Sequence, residues 1–161
     1  MKKPLFLFLT LALFSVQLPV ASPNAVAAET VQAENPAGSG TITIKITGLR
    51  STNGNLLVAL FNAKKGFPGK YENALRQTSI MAAGSEHVVV FSNVPFGVYA
   101  VAVRHDENAN GKLDTNFLGM PKEGVGTSNN PKSRFGPPSF DDAAFTLDHG
   151  AMELNVNLRY L

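Results

Sequence analysis

From Thr41 the chain alternates apolar and polar residues without a break: Ile42, Ile44 and Ile46 fall on one face, Thr41, Thr43, Lys45 and Thr47 on the other. A period of two marks a half-buried strand. Asn53-Gly54, a dipeptide that tolerates positive φ, lies between this strand and a second apolar run at Leu56 to Phe61, and the two runs together read as a hairpin. After a polar connection holding Gly66, Pro68 and Gly69, Arg76 to Met81 is a weaker strand candidate, with one helical turn fitting Tyr71 to Leu75. Two stronger strands follow, Glu86 to Val94 and Gly97 to Asp106, joined through Pro95 and Phe96. In the second, bulky Tyr99, Val101 and Val103 alternate with Ala100 and Ala102, so both faces suit burial. "AAFTLD" and the alternating "AMELNVNLRY" supply the last pair, with His149-Gly150 as the turn between them. Short strands and no long helix predict an all-β fold, an antiparallel β-sandwich of about seven strands.

One stretch departs from that spacing. Residues 107–142 have no hydrophobic period, five glycines (111, 119, 124, 126, 136) and four prolines (121, 131, 137, 138). Connections this long inside a small domain are usually functional or disordered. Phe117, Leu118, Met120, Val125, Phe135 and Phe140 are scattered through it, too many apolar anchors for a solvated linker, so the expectation is one long ordered loop packed on the sandwich.

The N-terminus changes the charge picture. Lys2-Lys3, a run "PLFLFLTLALFSVQLPV" and small residues at Ala25 to Ala28 have the order of a secretory signal peptide, residues 1–28, cleaved after Ala27 or Ala28. Gln17 and Pro19 interrupt the apolar run, which argues against an uncleaved anchor, so no membrane span is expected after cleavage. Residues 29–39 read as a flexible leader and 40–161 as one domain of about 120 residues. Cleavage removes two of the 14 basic residues and none of the 12 acidic ones, leaving a formal charge of zero. The sequence pI of 9.0 therefore gives no warrant for nucleic-acid or anionic-membrane binding. Without cysteine, disulfides, thiolate metal sites and lipid attachment are excluded. An exported protein, periplasmic or secreted, is expected.

The run "NVPFGVYAVAVRHDENANGKLDTNFLGMPKEGVGTSNN", followed by "GPPSFDDAAFTL", resembles the bacterial extracytoplasmic family known as domain of unknown function 2141, over about residues 40–161. "VPFGVYAV" is also similar to the strand-turn-strand of transthyretin-like and carboxypeptidase-regulatory-like sandwiches. The resemblance implies a β-sandwich and no particular activity.

"HDENANGKLDTN" carries the candidate chemistry. Asp106, Asn108 and Asn110 stand at positions 1, 3 and 5 of a calcium-loop pattern, Gly111 at the turn, Lys112 with its carbonyl at position 7 and Asp114 at position 9. Hard oxygens wrapped round one ion, with glycine where the backbone bends, are what a calcium site requires. Phe117 occupies position 12, where an EF-hand has its bidentate Glu, so a last carboxylate must come from Glu123, Asp141 or Asp142. Such a site should bind calcium weakly, at about 10⁻⁴ to 10⁻³ M. The other reading is a tight Asn110-Gly111 turn in which Asp106 and Asn108 hold backbone N–H groups.

Catalytic signals are sparse. His87 and His149 read as surface residues, and His105, at a strand end beside Asp106, is the only candidate general base. No G-x-S-x-G, S-x-x-K or H-E-x-x-H occurs, and "GVGTSNN" reads as turns. Tyr71, Phe117, Phe135 and Phe140 are available to stack on a sugar or peptide, and an edge strand could take a partner strand. These residues favour a non-enzymatic binding or structural module with calcium as its cofactor and an envelope or extracellular ligand as its partner. The alternative is a metal-assisted or His105-dependent hydrolase acting on an envelope substrate.

Overall fold

The computed structural model describes residues 36, 38–132 and 136–161; residues 1–28, expected to be a signal peptide, most of the expected leader and Phe135 lie outside them. Two sheets face each other. The smaller has the order β4-β1-β8, built from β1 (Ser39–Thr47), β4 (His87–Pro95) and β8 (Ala151–Asn157). The larger has the order β3-β2-β5-β6, from β2 (Asn55–Phe61), β3 (Arg76–Met81), β5 (Gly97–Asp106) and β6 (Gly124–Thr127). A short β7 (Phe145–Leu147) pairs with the start of β5, and one helical turn, α1 (Phe140–Ala143), precedes it. The predicted all-β sandwich is observed, and the helical turn expected near Tyr71 is a 3-10 turn at Tyr71–Asn73.

The pairings differ from the expected ones. β1 and β2 form no hairpin, because residues 48–54 carry the chain from one sheet to the other. Alternation shows which face of a strand is apolar, not which sheet holds it. Here Ile42, Ile44 and Ile46 meet Leu56, Val58 and Leu60 across the core instead of lying beside them. β7 and β8 also part at His149-Gly150: β7 joins β5, while β8 runs parallel to β1, from Thr41↔Ala151 to Thr47↔Asn157. That pair makes the sandwich mixed, with its other named strand pairings antiparallel. Between β4 and β5 the chain turns at Phe96, and the Tyr99 hydroxyl donates to the Pro95 carbonyl at 2.8 Å, as in the tyrosine corner of other sandwiches.

β6 is the strand that the pattern hid. Two of its four residues are glycine, so it has no side-chain alternation to read. The glycines are sterically required: a Cβ on Gly124 would lie 2.6 Å from the Tyr160 ring, and one on Gly126 2.8 Å from Val156. That close approach lets Val125 and Arg159 exchange two backbone hydrogen bonds of 2.9 Å, which stitch the sheets together at this edge. Across the opposite edge, the Arg76 guanidinium donates to the Ser92 and Asn93 carbonyls of β4.

β5 is buried on both faces from Tyr99 onward. Tyr99, Val101 and Val103 enter the central core. Ala102 faces the other way with Ala59 and Phe61, under Phe67, Tyr71, Ala74 and Phe140. Phe67 makes edge-to-face contacts with Phe61 at 5.3 Å and Phe140 at 5.8 Å, so the 62–75 connection and α1 form a lid over this face. Of the apolar residues expected to pin the long loop, Val125 and Phe140 are partly buried, whereas Phe117, Leu118 and Met120 are exposed at 94%, 68% and 42%. Among the described residues no helix is long and apolar enough to cross a membrane.

Gly54 sits at φ +70° where the β1–β2 crossover passes over the end of β5, and a Cβ there would fall 1.9 Å from the Asp106 carbonyl. Gly54→Ala should cost about 3 kcal/mol or more. Gly84→Ala, at φ +100° with open space around it, should cost only the backbone strain of about 1 to 2 kcal/mol. Urea unfolding of both variants checks the ranking; equal losses would mean that the close approach at Gly54 carries no weight.

Candidate functional site

The end of β5 and the segment after it converge with the β1–β2 crossover and the C-terminus. His105 is wholly buried. Its Nε2 lies 2.7 Å from the Asn53 carbonyl, which only accepts, so Nε2 carries the proton. Nδ1 is then the acceptor for the Tyr160 hydroxyl at 2.7 Å. The same hydroxyl accepts from the Arg50 backbone N–H at 3.1 Å. Burial pushes the Tyr160 phenol above its ordinary pKa, which keeps it a donor. His105 is thus a strut with both ring nitrogens engaged.

The Arg50 guanidinium lies 4.3 Å from the Tyr160 ring centroid, pairs with Glu107 and donates to the Lys122 carbonyl at 3.0 Å. Ser51 adds a hydroxyl bond to Glu107 at 2.7 Å. The Arg50 hydrogen bond, seconded by Ser51, holds the Glu107 carboxyl below the usual carboxylate range, against the opposing effect of its partial burial. The crossover therefore clamps the loop at both 107 and 122.

Within that clamp lies the predicted cation loop. The Asp106 carboxylate, 1% exposed, accepts from the N–H groups of Asn110 at 3.1 Å and Gly111 at 2.7 Å. Asn108 and Asn110 accept, through their side-chain oxygens, from the N–H groups of Asn110 and Lys112. Their amide nitrogens donate to Asp114, at 2.7 Å from Asn108 and 3.3 Å from Asn110. Glu123, 4% exposed, accepts from the N–H of Glu107 with one oxygen and that of Asp114 with the other, both at 3.2 Å. Ala109 and Gly111 take positive φ, 55° and 74°, to close the bend.

Of the three candidates for a last carboxylate, the fold brings Glu123 to the loop. Asp141 pairs with Lys64, and Asp142 forms a capping box with Ser139 at α1. Burial pushes the Glu123 carboxyl above its ordinary pKa; the N–H groups of Asp114 and Glu107 oppose that rise, and the charges of Asp106 and Asp114 add to it. No ion pair among the described residues involves Asp106, Asp114 or Glu123. Nor do three His, Cys, Asp or Glu side chains close on a single point there. The loop is held as a set of Asx turns, as the turn reading expects.

The donor set nevertheless suits a hard cation. It comprises three carboxylates, two amide oxygens and the Lys112 carbonyl, with no nitrogen or sulfur ligand. Rotating either Asn amide by half a turn would bring its oxygen toward Asp114 and give up the bond that oxygen accepts from the Asn110 or Lys112 N–H.

The remaining expectations divide. His87 is buried, against the surface position expected, because it occupies an inward-facing position of β4 opposite Ile46. His149 is exposed as expected and pairs with Asp148. Tyr71 and Phe140 belong to the lid, while Phe117 stands in solvent. Sequence reasoning missed Arg50, Glu107 and Tyr160; Tyr160 reaches Arg50 because β8 runs beside β1, a parallel pairing that no local pattern signals.

A family model described as an uncharacterized protein conserved in bacteria, DUF2141, matches residues 44–155. No curated protein and no solved structure matches the chain.

Tyr160→Phe keeps the ring against Gly124 but leaves His105 Nδ1 and the Arg50 N–H without partners. The expected loss is about 1–3 kcal/mol by chemical denaturation. A neutral result would mean that water takes over both bonds at no cost.

Proposed function

The chain belongs to the bacterial DUF2141 family, and from that premise we propose that it is an exported, non-enzymatic β-sandwich module whose loop 106–123 binds calcium. Residues 1–28 serve as its signal peptide and deliver it to the periplasm or the exterior, where calcium is available to a weak site. The Pro95–Tyr99 corner supports kinship with transthyretin-like sandwiches, which concerns the scaffold alone.

One observation carries the calcium reading: two nearly buried carboxylates, Asp106 and Glu123, adjoin Asp114, and no side-chain cation pairs with any of them among the described residues. Buried like charges raise one another's free energy unless a cation joins them. Asp106, Asp114, Glu123, the Asn108 and Asn110 side-chain oxygens and the Lys112 carbonyl are the ligands. The ion compensates their charge and cross-links the ends of the loop. His105 supports the loop from below and does not act as a base.

The pH dependence follows from Glu123. Its folded pKa is raised, so its contribution to stability is full below its unfolded pKa and is lost as pH rises through the folded value. Calcium should restore that loss, and its stabilising effect should grow from about pH 4 to pH 7. At neutral pH and one hundred times Kd the gain should be about 2.7 kcal/mol, seen as a higher Tm and as binding heat in calorimetry. Asp106→Asn and Asp114→Asn should abolish it. A wild-type Tm unchanged by calcium at one hundred times that Kd, about 10 to 100 mM, would make the loop an Asx-turn scaffold and defeat the calcium reading.

A further inference from the structure

Beyond the carboxylates, the same loop forms a second feature. Thr115 and Pro121 make an isolated antiparallel bridge, and the chain between them turns over Phe117, Leu118, Gly119 and Met120. Asn116 holds this turn. Its N–H donates to the Met120 carbonyl at 2.8 Å, its carbonyl accepts from Gly119 at 2.9 Å, and its side-chain oxygen accepts from Leu118 at 2.9 Å and Met120 at 3.0 Å. The turn is therefore ordered by its own polar bonds and needs no apolar packing. Its three large side chains stand in solvent, and a Cβ built on Gly119 would meet nothing within 4 Å. The turn is an exposed apolar knob.

Folding gains nothing from exposing three adjacent large apolar residues, and such a cluster marks a contact with something apolar. Two features favour a bilayer surface over a protein cleft. The N–H groups of Leu118, Gly119 and Met120 are satisfied inside the turn, which lowers the cost of leaving water. Lys112 and Lys122, exposed and in no ion pair among the described residues, flank the knob in sequence as cations flank interfacial anchors. The nearby acids are less exposed than the two lysines. Asp106 and Glu123 are buried and held by backbone N–H groups, Glu107 is paired with Arg50, and Asp114 is half-buried under two amides.

We infer that residues 115–121 form an interfacial anchor, inserting Phe117, Leu118 and Met120 among the acyl chains of an anionic membrane leaflet while Lys112 and Lys122 meet lipid headgroups. The zero net charge of the proposed mature chain does not oppose this, because the attraction is local. The inference stands on the turn and its lysines and does not require calcium.

The protein has no tryptophan, so Phe117→Trp places a single reporter at a position already 94% exposed. The variant chain would be mixed with phosphatidylcholine vesicles containing phosphatidylglycerol as the minor lipid, with brominated acyl chains as quencher, in calcium and in EDTA. Insertion predicts a blue shift and bromine quenching in at least one of the two conditions. Val98→Trp, at the opposite end of β5 and 51% exposed, should show neither effect. Each of Lys112→Ala and Lys122→Ala should weaken partitioning about fivefold. The tryptophan reports its own depth, so binding through the apolar N-terminal segment alone leaves it in water. Emission unchanged by vesicles in both conditions would overturn the anchor. Insertion that is the same in calcium and EDTA supports the anchor and leaves the calcium site to the melting measurement.

Discussion

β5 has apolar residues on both faces, and a strand of that kind cannot stay at the surface of a single sheet. One face is covered by the opposing sheet, and the other by Phe67, Tyr71 and Phe140 from the 62–75 connection and α1. Its edges are taken by β2 along one side and by β7 and β6 in succession along the other. Everything that leaves β5 at Asp106 therefore starts from a fixed point. Such a base is what a binding loop requires, because a side chain can be no better placed than the element that carries it.

The second constraint is the chain of polar contacts through Asn53, His105, Tyr160, Arg50 and Glu107. It draws on three separate parts of the sequence, and each link fixes the next: the Asn53 carbonyl selects the histidine tautomer, the tautomer orients the tyrosine hydroxyl, and the tyrosine receives the arginine N–H. The arginine side chain then holds the loop at 107 and at 122. A histidine at a strand end beside an aspartate has the appearance of a catalytic base, but burial and two engaged ring nitrogens suit the supporting role proposed for it.

Most of the fold was legible because its strands have one wet and one dry face, and that asymmetry is written in β1, β4 and β8 residue by residue. The pairing of the strands was not. Ile46 has the same environment whether Leu56 lies beside it in one sheet or across the core in another, so the β1–β2 hairpin and the β7–β8 pair were equally compatible with the pattern. β6 left no trace because Gly124 and Gly126 are selected for what they lack. In the site, the spacing of Asp106, Asn108, Asn110 and Asp114 was readable, since those residues meet within one turn of chain. Glu123 was readable only as one of three acids, and its place is settled by the bridge that returns the chain from Thr115 to Pro121. Phe117 and Leu118 misled, because composition counts an apolar residue as an anchor without saying which way it faces.

Glu123 couples the two features of the loop. Its carboxylate joins the N–H of Glu107, at the base of the loop, to that of Asp114, where the stem of the knob begins, and Lys122 is its chain neighbour. Lys122 in turn donates its N–H to the Asp114 carbonyl at 2.9 Å. A change in the charge or bonding of Glu123 is thus transmitted directly to the residues that aim the knob. On the proposed reading, calcium would both neutralise the carboxylates closest to an anionic surface and stiffen the stem, so the ion and the membrane would favour each other's binding reciprocally, as linkage demands. If the calcium reading fails, the stem still has the backbone bonds of Asn116 and the Arg50 clamp, and the knob keeps its geometry without the ion.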